Sequence, residues 1–109
     1  MKKTRLSKSE RQEWLLIIRK LKEALPLGEK VEVRTLPIKT LSGYCTKSSD
    51  GWSIVISSYL DFNGRIDALE HEYAHALDDN PDRGNFHKEH GASWGIKFSK
   101  CHRVVRDLL

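Results

Sequence analysis

Apolar residues recur at helical intervals in three stretches of the chain, and alternate with polar ones in the segments between. From about Ser7 to Leu25, Trp14, Ile17, Ile18 and Leu21 fall on one side of a helix. Ser7 and Glu10 have capping-box spacing, and Pro26 and Gly28 end the segment. VEVRTL, residues 31 to 36, alternates as a half-buried strand does, and Pro37 stops it. A hairpin is predicted next: one arm from Tyr44 to Lys47, a turn from Ser48 to Gly51 in which Asp50 and Gly51 supply positive φ angles, and a second arm from Trp52 to Ser58. Three strands this short and polar need helices over one face to build a core.

The period then changes to that of a helix, from Arg65 to Asp78. With about 100° per residue and His71 set at zero, Ile66, Leu69, Tyr73 and Leu77 cluster between about 160° and 240°, whereas His71 and His75 lie at about 0° and 40°. Tyr73 is therefore expected in the core, and the two histidines are expected to face away from it. DDNPDRGN has loop composition. From about Glu89 to Leu108 a last helix carries the stripe Trp94, Phe98, Cys101, Val105, Leu108. Helix, three strands, helix, loop and helix make an α+β domain, and 109 residues suffice for one domain spanning 1–109.

Composition narrows the class. No apolar run approaches a membrane span, and the basic N-terminus has neither an apolar core nor a small-residue cleavage site behind it, so a cytoplasmic protein away from membranes is expected. Cys45 and Cys101 are the only cysteines; they cannot form a four-cysteine zinc ribbon and are expected to be reduced and partly buried. The formal charge of +4 is unevenly placed. Residues 1–39 hold eleven Lys/Arg against five Asp/Glu, residues 61–92 three against eight, and residues 93–109 four against one. An acidic middle between basic ends suits a cation site beside a surface that tolerates DNA.

The acidic middle contains HEYAH, residues 71–75. One helical turn lets the imidazoles of His71 and His75 converge on one ion, and zinc accepts neutral imidazole nitrogen. Glu72, about 100° round the helix, stands beside such an ion. Its carboxylate can take a proton from a water whose acidity the metal has raised and pass it to a leaving amine. At average composition a chance HExxH in a chain of this length is roughly a 0.3% event, so the motif carries weight. A catalytic zinc needs a third protein ligand, and NFHKEHGASWG offers His87, Glu89 and His90. His90, followed by Gly91 at the start of the last helix and in line with Trp94 one turn on, is preferred. Asp67 and Asp78 flank the histidine face, where either could hold an imidazole by its other nitrogen or serve as an ordinary exposed helix residue or cap.

HEYAHALD together with HGASW, with fourteen residues between His75 and His90, resembles the SprT-like zinc metallopeptidases, the group that includes Spartan. The order of helix, hairpin-bearing strands and motif helix resembles that family too. The resemblance rests on His71, Glu72, His75, His90 and Gly91. It implies a zincin-like fold, Zn2+ held by the three histidines, Glu72 as catalytic residue, and hydrolysis of peptide bonds in protein or peptide substrates, in the best-known members proteins attached to DNA. Unlike the longer members, this sequence has no cysteine zinc ribbon. In zincin-like folds the strand before the motif helix commonly binds substrate, which would assign WSIVISS to main-chain recognition. Tyr44, Tyr59 and His102 are candidates to help stabilise an oxyanion. Two rival readings stand beside the peptidase acting on DNA-linked proteins. One is a DNA-associated binding module whose zinc only ties two helices together, using the basic N-terminal helix and KFSKCHRVVR; the other is a peptidase acting on a regulatory protein.

Overall fold

The computed structural model describes residues 4–79 and 91–109. Among these the chain forms α1 (Lys8–Ala24), β1 (Val31–Leu36), β2 (Gly43–Ser48), β3 (Gly51–Ser57), α2 (Phe62–Leu77) and α3 (Ala92–Leu108), an α+β domain of three helices and a three-stranded sheet. No helix among the described residues is long and apolar enough to cross a membrane.

Local signals set most of these boundaries. Ser7 caps α1 in a complete capping box: its hydroxyl accepts from the Glu10 N–H at 3.1 Å, and the Glu10 carboxylate accepts from the Ser7 N–H at 2.8 Å. Trp14, Ile17 and Leu21 bury their side chains along one face. Helix α2 starts three residues before the predicted Arg65, because the Asp61 carboxylate accepts from the Gly64 N–H at 2.8 Å and so satisfies the first turn.

In the sheet, β3 is central. It pairs in parallel with β1, Val31 opposite Trp52, and antiparallel with β2, Tyr44 opposite Val55. Both edges of β3 are taken, so WSIVISS cannot receive a substrate as an added strand; the sheet edges are β1 and β2. The hairpin turns on Ser49 and Asp50 alone, with Ser48 opposite Gly51. Only Gly51 has positive φ there, 129°, and Asp50 does not share it. The Asp50 N–H donates to the Ser48 hydroxyl at 3.2 Å, which closes the turn without a left-handed Asp50. Gly51 also meets β1, since a Cβ on it would lie 2.2 Å from the Lys30 carbonyl oxygen, the acceptor for the Trp52 N–H.

One core joins all six elements. Helix α2 packs on β2 and β3, and α3 packs on α2 and α1. The buried guanidinium of Arg65 donates to the carbonyls of Leu60 and Ser58 at the end of β3 and of Thr4 in the N-terminal segment. Cys45 and Cys101 are fully buried, deeper than the partial burial expected. Tyr73 is in the core as predicted, and its hydroxyl donates at 2.8 Å to the Leu25 carbonyl and lies 3.2 Å from that of Leu21. It thus satisfies the C-terminal end of α1 from α2.

Tyr73→Phe keeps the ring and removes this bond. It should destabilise the domain by about 1 kcal/mol, read as a drop of roughly 4–8 °C in the thermal midpoint. An unchanged midpoint would show that the phenol contributes nothing to holding the two helices.

Candidate metal centre

Ten of the sixteen residues of α2 are buried, so this helix is covered on more than the side its apolar stripe marks. Its second cover is α3. The expectation that both histidines face away from the core is therefore corrected: His75 is 0% exposed and Glu72 3%, while the His71 side chain keeps 32%. The Trp94 ring lies against both imidazoles, at 5.1 Å from His71 and 5.5 Å from His75 between centroids.

Within this enclosure the two Nε2 atoms point at each other across 3.2 Å, with the rings 69° apart. That distance suits one shared proton. It also suits one shared ion: two nitrogens each 2.0–2.1 Å from a tetrahedral zinc are separated by about 3.3 Å. Glu72 Oε2 lies 4.0 Å from His71 Nε2, beside the pair. Two imidazole nitrogens facing one point, with a buried carboxylate beside them, form a set of groups compatible with a divalent cation.

The three candidates for a third ligand, His87, Glu89 and His90, lie outside the described residues. Among those described, no third His, Cys, Asp or Glu completes a metal-holding group. The residue after His90 is Gly91, the N-cap of α3, and two residues further on the Ser93 hydroxyl donates to Asp78 Oδ1 at 2.6 Å. This bond joins the end of α2 to the start of α3, the helix that carries Trp94 against the imidazole pair. Asp78 thereby serves the junction between the helices, and Asp67 is exposed.

His102, a candidate oxyanion helper, is engaged elsewhere. Its Nδ1 lies 3.1 Å from Oε1 of Glu70, a carboxylate only 1% exposed and absent from the sequence-based site. Burial pushes the Glu70 carboxyl above its ordinary range, and the bond from His102 acts against that rise. Next to it, burial and then the charge of Glu70 push the Cys101 thiol up to about 12, so that it stays protonated and packs as an apolar group. The signal for Glu70 was present: about 260° on the α2 wheel, it borders the apolar stripe instead of the polar face.

His102→Ala leaves a buried carboxylate without this donor and should cost about 1–3 kcal/mol of folding stability. Introduced into Glu70→Gln, the same change should cost far less, because the residual group carries no charge. Equal costs in the two backgrounds, measured by urea unfolding, would show the pair to be uncoupled. Compared with models of protein families and with curated proteins, the sequence matches none.

Proposed function

We propose that this chain is a zinc-dependent endopeptidase of the SprT-like, zincin-like kind, in which His71 and His75 bind the ion, His90 supplies the third nitrogen and Glu72 is the general base and acid. The observation that carries the reading is the 3.2 Å separation of two Nε2 atoms, one on a fully buried imidazole and one on a partly exposed imidazole, with a carboxylate 4.0 Å from the second. A bound zinc supplies Lewis acidity, polarising a scissile carbonyl and raising the acidity of water. The protein's residues do the rest. The backbone of α2 holds Glu72 about 100° from His71, out of line with the two nitrogens and within reach of a water or a leaving amine beside them. Because β3 is enclosed, an extended substrate is assigned to a free edge, and β2 is the edge strand that packs against α2.

Purified protein should contain one zinc per chain. Glu72→Gln should retain that zinc while hydrolysis of an unfolded protein such as casein falls by roughly 10²–10⁴-fold. His90→Ala should lose the metal, and His87→Ala and Glu89→Ala should keep it. A wild-type protein that takes up no zinc, or a Glu72→Gln enzyme of unchanged rate, would sink the reading.

A second observation favours a polyanionic platform such as DNA. Lys97, Lys100, Arg103 and Arg106 of α3 are accompanied by one acid, Asp107, and none of the four forms an ion pair with another described residue. Four phosphate contacts would give a slope of about −3.6 in log affinity against log salt. Anisotropy of a labelled DNA duplex measures it, and no binding at low salt removes DNA from the proposal.

A further inference from the structure

We propose that Trp94 is a positioning residue for the imidazole pair: its indole sets the ring orientation of both His71 and His75 and closes the side of the site that α3 covers. The inference rests on the metal-site reading above and deepens it.

An imidazole on a helix turns easily about its last side-chain torsion, which has broad wells, so backbone position alone does not aim its Nε2. Something must press on the ring. Trp94 presses on both, inclined 61° to His71 and 39° to His75, while the two imidazoles stand 69° to each other. The inclined contact with His71 suits the attraction between a negative indole face and the positive C–H edge of a neighbouring ring.

The indole is itself held. Phe98 stacks on it at 5.1 Å and 24°, His102 continues the row behind Phe98 at 6.4 Å and 9°, and His102 is tied to Glu70. Residues 94, 98 and 102 follow one another at intervals of four along α3, so a row of rings on one helix braces the wall of a site carried by another. The Ser93 to Asp78 bond, next to Trp94 in sequence, fixes the end of that row on α2. Groups that aim ligand rings control affinity without touching the ion, and their loss typically costs roughly 10–100-fold in metal binding.

The test compares wild type, Trp94→Phe and Trp94→Leu in the full chain. It uses cobalt(II) titration read by d–d absorption, with thermal unfolding of the metal-free proteins alongside. Wild type and Trp94→Phe should give the same strong band of a tetrahedral site. Trp94→Leu, which keeps an apolar side chain under α3, should unfold near the wild-type temperature when metal-free, yet bind cobalt roughly 10–100-fold more weakly and with a weaker band as the site opens to water. A Leu variant with wild-type affinity and spectrum overturns the inference and leaves the metal-site reading intact. So does one whose metal-free stability falls in step with its affinity, since that assigns Trp94 to packing alone. Should the Leu variant fail to fold, Trp94→Phe decides: the wild-type band and affinity support the aromatic wall, and a large loss of either overturns it. A wild-type protein with no cobalt band overturns both.

Discussion

Helix α2 carries Arg65, Glu70, Glu72 and His75 into the interior, and the surrounding fold is arranged by what each of these polar side chains requires there. A buried charge without partners costs more than a domain of this size can absorb. Arg65 is answered by three main-chain carbonyls where the N-terminal segment meets the end of β3. Glu70 is answered by His102 on α3, and His75 by His71 on its own helix. The partners come from different elements, so satisfying one helix brings the two ends of the chain and the end of the sheet around it. A helix with an ordinary one-sided stripe would have needed only the sheet.

The motif itself divides along the same line. Its chemical residues, His71, Glu72 and His75, occupy one side of α2, and the two positions between Glu72 and His75 occupy another. Those two are Tyr73 and Ala74, both essentially inaccessible. Tyr73 hydrogen-bonds to the end of α1, and Ala74 belongs to the same core, with no bulk to hold the neighbouring elements away. The spacers therefore fix where the helix lies, and through it where the histidines lie. The stability of the α1 contact and the geometry of the site are coupled through a single residue that takes no part in the proposed chemistry.

What could be read from sequence follows how local each determinant is. The capping box and stop signals of α1 lie within a few residues of the boundaries they set, and β1 was legible to the residue. The stripe on α2 correctly marked Ile66, Leu69 and Tyr73 as core. A helical wheel identifies the most apolar face, however, and cannot count how many faces are covered. The burial of His75 depends on α3, which is distant in sequence. Strand order escaped for a related reason, since alternation describes a strand and not its neighbours. The nearly continuous burial of β3 has a trace in WSIVIS, an apolar run without the strict alternation of a half-exposed strand. In the candidate site, histidine spacing was legible because it is a property of one helix. The Glu70 to His102 pair spans two helices and was visible only as a carboxylate out of place on its wheel.

The 3.2 Å between the two Nε2 atoms admits two occupants, a proton or a cation, and the surroundings bear unequally on them. A proton shared by two imidazoles satisfies one donor and one acceptor and asks nothing of the carboxylate beside them. Yet Glu72 is held almost wholly out of solvent with an oxygen 4.0 Å from His71 Nε2, in a segment where residues 61–92 carry eight acids against three Lys/Arg. A positive ion at the point where the rings converge would attract that carboxylate, because the attraction between opposite charges strengthens as water is excluded. The position of Glu72 thus adds to the imidazole spacing a second feature that the proposed cation would use.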